Sequence, residues 1–109
     1  MTRFEIELKK GNFVCSECKK CNQLVWPPSE FCSKCFQSVT WRQITPDAKL
    51  VEFSKKGDQI FCIAEFEDGI RVVGTLDTKH YDLKIGQSLL LTECGFNGSE
   101  RFVFKIKTQ

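Results

Sequence analysis

Cys18-Lys19-Lys20-Cys21 and Cys32-Ser33-Lys34-Cys35 decide the reading of this chain: two C-x2-C pairs with ten residues between them. Each pair can close a tight knuckle that aims two thiolates at one point. Two facing knuckles then make the tetrahedral sulfur cage that zinc accepts without geometric penalty. Iron in a rubredoxin-like site uses the same ligands, so zinc and iron are both compatible with the spacing. Redox pairs of the thioredoxin kind are disfavoured, because neither pair stands at a strand-to-helix junction. The register needs a decision, since Cys15-Ser16-Glu17-Cys18 is also a C-x2-C. A knuckle wants a left-handed residue just after its second cysteine, and Asn22 after Cys21 tolerates that conformation better than Lys19 after Cys18. The predicted ligands are therefore Cys18, Cys21, Cys32 and Cys35, with Cys15 a spare thiol beside them, packed in the favoured reading and a substitute ligand in the other. Phe36 after Cys35 is a poor residue for the same position, so the second knuckle is expected to be less regular. Between the pairs, Trp26-Pro27-Pro28 reads as a rigid bend.

Outside the cysteines, composition sets limits. A chain of 109 residues with 41% hydrophobic content is one compact unit or two small joined modules, not a disordered polymer. Arg3, Glu5 and Glu7 interrupt the first apolar residues, so neither a secretory signal nor a membrane span is expected. Seven cysteines, an odd number, point to a reducing compartment, with the cytoplasm as the expected location. The formal charge of +2 counts every cysteine as a neutral thiol. Four thiolates and one zinc change it by −4 and +2, which leaves a metal-loaded chain near zero. That weakens the electrostatic case for a general nucleic-acid binder.

From Lys49 onward the pattern alternates between turn signals, as in an antiparallel β module. Strands are expected over Lys49 to Ser54, Gln59 to Phe66, Ile70 to Leu76, Ser88 to Glu93 and Arg101 to Lys107. Gly57-Asp58 and Asp68-Gly69 mark tight turns, and Gly74 marks a bulge or bend. Asp77 to Leu83 is expected to be irregular or a short helix. Phe102, Phe104 and Ile106 share one face and are expected to point inward. Five short strands, with the longest connection between the third and fourth, fit the partly open OB barrel. The fold class is thus all-β, a rubredoxin-like zinc ribbon followed by a five-stranded OB-fold. The expected organisation is an N-terminal segment over residues 1–14, the ribbon over 15–41 and the barrel over 42–109. In the first segment Phe4, Ile6 and Leu8 alternate with Glu5, Glu7 and Lys9, which predicts an extended strand.

Taken together, Cys18, Cys21, Pro27-Pro28, Cys32 and Cys35, then the barrel stretches Ala64 to Gly74 and Leu83 to Gln87, resemble a known family. It is that of the acyl-CoA-associated OB-fold proteins with an N-terminal zinc ribbon, domain of unknown function thirty-five. The resemblance covers nearly the whole chain. Two departures are visible: the family commonly has glycine where this chain has Asn22, and often begins with a longer helical segment. The resemblance implies a non-catalytic companion of thiolase-superfamily enzymes. It also implies bridging of an acetoacetyl-CoA thiolase and a hydroxymethylglutaryl-CoA synthase, with CoA or an acyl-CoA as a ligand.

The residues themselves contain no constellation for catalysis. His80 is the sole histidine and no nucleophile stands beside it in sequence, while Cys94 lacks a recognisable base. Glu65, Glu67 and Asp68 read as a solvated hairpin tip. For CoA phosphates, Lys55, Lys56 and Arg71 are the candidate contacts, on the expectation that they meet at one end of the barrel. Phe31, Trp41 and Phe53 are expected to glue ribbon to barrel. The alternative reading is an RNA or single-stranded DNA binder, for which the same two modules are also suited. Against it stand the small net charge and the inward placement of Phe102 and Phe104. An iron site for electron transfer is a third reading, separated from zinc by its red colour.

Overall fold

The computed structural model describes residues 2–77 and 83–107. It begins with a short helix, α1 (Arg3–Lys9), where a strand is expected from the alternation. The reason is a capping box: the Thr2 side chain accepts from the Glu5 backbone N–H, and the Glu5 carboxylate accepts from the Thr2 N–H at 2.9 Å. A helix also sorts the three apolar residues better than a strand would. Phe4 and Leu8, one turn apart, are buried, and Ile6 faces out at 40% exposure.

Strands β1 (Val14–Cys18), β2 (Gln23–Val25) and β3 (Thr40–Gln43) form the ribbon sheet in the order β2-β1-β3, all antiparallel. Strands β4 (Asp47–Lys56), β5 (Gln59–Glu65), β6 (Arg71–Leu76), β7 (Ser88–Phe96) and β8 (Glu100–Ile106) close into a barrel in the order β4-β5-β6-β8-β7. Most neighbours are antiparallel, but β6 and β8 run parallel, the pairing that distinguishes an OB barrel from a simple meander. The fold is therefore the expected ribbon plus OB barrel, with one short helix added.

Closure depends on two bulges. Between Leu50 and Glu52 the register of β4 against β5 shifts, and between Leu91 and Glu93 that of β7 against β8 does the same. Each inserted residue bends its strand, so that the first part of β4 can pair with β7 while its remainder follows β5. Gly74 has a different function from the expected bulge, since β5 and β6 pair there without a shift. A Cβ at Gly74 would lie 2.7 Å from both the Phe102 carbonyl and the Phe104 ring, so glycine is required by close approach. The hairpin between β7 and β8 is tight, since the strands run on past the expected ends at Glu93 and Arg101 to Phe96 and Glu100. Both strands extend toward a short turn around Gly98, whose φ is +77°.

One hydrophobic core joins all the parts. Phe4 and Leu8 of α1, Phe13, Cys15 and Leu24 of the ribbon, and Leu50, Ala64, Phe66, Leu89, Phe102 and Phe104 of the barrel are packed in one cluster. At its centre Phe13 meets four rings edge-on or nearly so, Phe4, Trp26, Phe66 and Phe102, at centroid separations of 5.0 to 6.4 Å. These rings make the seam between modules. Of the aromatics expected there, Trp41 and Phe53 are partly buried against the core, but Phe31 stands 60% exposed and takes no part. His80 and most of the Asp77 to Leu83 connection lie outside the described residues.

Candidate metal centre and module seam

The two knuckles grow from the ribbon sheet. β1 delivers Cys18 at its end, the chain reverses through Asn22 at φ +54°, and β2 carries it away beside β1. The Cys21 backbone N–H donates to Cys18 Sγ at 3.4 Å, which fixes the first turn. In the second knuckle Phe36 takes the left-handed conformation after all, at φ +60°, and its N–H donates to the Cys32 carbonyl at 2.8 Å. The expected irregularity is absent, because the hairpin imposes the turn: Cys32 N–H donates to the Gln37 carbonyl, and Phe31 bridges Ser38.

Together the knuckles bring the Sγ atoms of Cys18, Cys21, Cys32 and Cys35 within 4.8 Å of one another. The Cys18–Cys35 and Cys21–Cys32 sulfur separations are 3.5 and 3.8 Å. Four sulfurs at about 2.3 Å from a central zinc lie about 3.8 Å apart along each edge of the tetrahedron, so the cage fits a metal of that size. Backbone N–H groups of Cys35 and Lys34 hold the Cys32 thiol down, to about 6. Hydrogen bonding to Cys32 and its other sulfur neighbours pushes Cys21 up, to about 12, which favours protons on the sulfurs. A bound cation would displace those protons. Cys15 is fully buried and donates from Sγ to the Val25 carbonyl at 3.2 Å, away from the cage. Burial raises its thiol to about 11.

The second constructed feature is the polar clamp between the modules, and here the expected solvated tip must be corrected. Asp68 and Gly69 make the tight turn with φ +56° and +73°, and the turn sits against the ribbon. The Asp68 carboxylate accepts from the Leu24 N–H at 3.2 Å. The Glu67 carboxylate accepts from the Arg42 guanidinium at 2.6 and 3.2 Å, and from the Thr45 N–H and hydroxyl. Arg42 also donates to Glu17 at 3.1 Å. The guanidinium holds the Glu67 carboxyl below the usual carboxylate range, and Glu67 raises Arg42 in turn. No sequence signal marked this cluster, since Glu67 lies 25 residues from Arg42.

The three candidate phosphate contacts do not converge. Lys55 and Lys56 stand at the β4–β5 hairpin, opposite Ile60 and Gln59. Arg71 is opposite Glu65 at the far end of β5, about 17 Å along the strand from the residue facing Lys55, and it is ion-paired with Glu65 at 2.9 Å. The lysines flank the β4–β5 turn and Arg71 the β5–β6 turn, and successive turns of antiparallel strands lie at opposite ends. For base stacking, Phe102 and Phe104 are 2% and 0% exposed, so neither ring can receive a nucleobase. Among the described residues no helix is long and apolar enough to cross a membrane.

Two cysteine knuckles at the tip of a three-stranded sheet, ahead of a five-stranded closed barrel, define a protein of the zinc-ribbon and OB-fold class. Residues 7–39 match the family described as ChsH2, rubredoxin-like zinc ribbon domain. Two solved structures have the fold of the whole chain. One, the Ltp2-ChsH2(DUF35) aldolase, is 16% identical with a TM-score of 0.75 over 97% of this chain and 96% of that one. The other, a DUF35 family protein of unknown function from Sulfolobus solfataricus, is 18% identical with a TM-score of 0.65 over 96% and 83%. No curated protein matches the chain in sequence. The resemblance to the domain of unknown function thirty-five family therefore stands, in the ribbon by sequence and in both modules by fold.

Proposed function

We propose that this chain is a non-catalytic, zinc-binding companion of thiolase-superfamily enzymes in acyl-CoA metabolism. In this reading it holds such an enzyme and bridges it to a second one of the hydroxymethylglutaryl-CoA synthase type. The observation that carries the proposal is the fold match over 97% of this chain to a protein whose description joins ChsH2(DUF35) to Ltp2 in an aldolase. Both modules are matched, so what the likeness supports is the function of the pair and not that of a ribbon alone.

The chemistry of the cage supports the same reading. Cys18, Cys21, Cys32 and Cys35 would hold zinc with all four tetrahedral positions filled by sulfur, which supplies folding energy and leaves no position for a reacting water. The remaining thiols, Cys15, Cys62 and Cys94, are buried and raised by desolvation, unsuited to nucleophilic attack. Seven free cysteines fit a reducing compartment, and we assign the protein to the cytoplasm. Direct CoA contact through Lys55, Lys56 and Arg71 as a unit is not retained.

Purification of a tagged form from its native cell tests the proposal. We expect a colourless protein with one zinc per chain and a thiolase-superfamily enzyme in the eluate. A red protein would replace zinc by iron, and recovery of RNA or ribosomal protein in place of the enzyme would overturn the companion reading.

A further inference from the structure

The second knuckle presents two features that folding alone does not require. Phe36 is 79% exposed, the most of any large hydrophobic side chain among the described residues, and Phe31 on the same hairpin is 60% exposed. Phe36 is also held at φ +60°, where asparagine or glycine is the easy choice and a bulky side chain is strained. A residue that is strained and unpacked stabilises nothing in the isolated chain. The ring is therefore retained at the expense of local stability. Lys19 and Lys20 in the first knuckle and Lys34 in the second are exposed, the two knuckles meet at the cage, and Glu30 is an exposed acid just ahead of the second.

We infer that the Phe31 and Phe36 rings, together with Lys19, Lys20 and Lys34 of the two knuckles, form a protein-docking surface whose partner offers an apolar pocket bordered by carboxylates. The inference rests on the companion reading above and assigns the contact to the ribbon tip. A folded protein fits better than a polyanion. Three lysines against one glutamate, beside a cage of four thiolates on a metal-loaded chain near zero net charge, fall short of the basic excess that nucleic acid or an anionic membrane calls for. Exposed rings and lysines on the same pair of knuckles instead match an interface with an aromatic centre and polar surroundings, where charges choose the partner and the rings supply affinity.

The test uses Phe36→Gly in the full, zinc-loaded chain, with Phe31→Ser as a second variant. Glycine suits φ +60°, so Phe36→Gly should keep one zinc and an equal or higher thermal midpoint. Wild type and both variants serve as bait in native lysate, and the recovered protein is identified, purified and titrated against each. We expect a thiolase-superfamily enzyme that binds Phe36→Gly at least tenfold more weakly than wild type. Equal binding would overturn the docking surface and leave the companion reading intact. Loss of a different purified protein by the variants would keep the docking surface and sink the thiolase assignment. Recovery of no protein by wild type would overturn both. Sedimentation with phosphatidylserine vesicles completes the test: binding by wild type that Phe36→Gly loses would replace the protein partner by a lipid surface.

Discussion

At the scale of single residues the account depends on which cysteines face the metal. Replacing Cys32 by Ser should abolish stoichiometric zinc and unfold the ribbon, because such sites supply folding energy of about 10–16 kcal/mol in small zinc-finger peptides. Cys15→Ser should keep the metal, since that thiol donates to the Val25 carbonyl and a hydroxyl can do the same. Metal analysis of the two purified variants checks both outcomes. The register was legible because Asn22 advertises its left-handed turn. The regularity of the second knuckle was not, because Phe36 violates the local preference and only the Phe31–Ser38 hairpin explains how it is imposed. Glu67 was hidden for a related reason: its partners Arg42 and Thr45 are remote in sequence, and an Asp-Gly turn preceded by glutamate looks like any solvated tip.

That carboxylate has a measurable pH signature. Its folded pKa is lowered, first by the hydrogen bonds from Arg42, so its contribution is fully present above the unfolded value near 4.3 and fades as pH falls through the folded value. Glu67→Gln should cost about 1–2 kcal/mol at neutral pH, the ordinary range for charge-assisted bonds in a partly exposed network. The difference between wild type and variant should shrink below about pH 4. Denaturant titrations of the two proteins at several pH values measure it, and metal loss in acid affects both alike.

Among the elements, α1 separates pattern from mechanism. Phe4, Ile6 and Leu8 satisfy strand alternation, and the helix is visible only through Thr2-x-x-Glu5 and the one-turn spacing of Phe4 and Leu8. The helix packs against β1 and β7, so it belongs to the seam and not to either module. Leu8, fully buried, should therefore cost about 2–5 kcal/mol when replaced by Ala, with Thr2→Ala costing about 1 kcal/mol through the lost cap. Chemical denaturation should show one transition losing ribbon and barrel together in Leu8→Ala. Independent melting of the barrel would contradict a shared core. The barrel strands were legible from alternation and turn glycines. Their bulges and the parallel β6–β8 pair were not, since closure is a property of the whole sheet.

For the whole molecule, ribbon and barrel share one core through the aromatic seam, and the cysteine cage forms a second, smaller cluster of its own. A zinc held by the four cysteines would have no open coordination position to offer a substrate, and the barrel's interior rings are sealed. In the proposed function such a body acts through its surface. The central claim is that it holds acyl-CoA enzymes together without chemistry of its own. Reconstitution tests this most directly: the recovered thiolase-superfamily enzyme and its second enzyme are mixed with and without the zinc-loaded chain, and both complex mass and acyl-CoA condensation are measured. The account predicts an assembly and a raised condensation rate only when the chain is present, with no turnover by the chain alone. Equal assembly and equal rate without it, or turnover by the isolated chain, would contradict it.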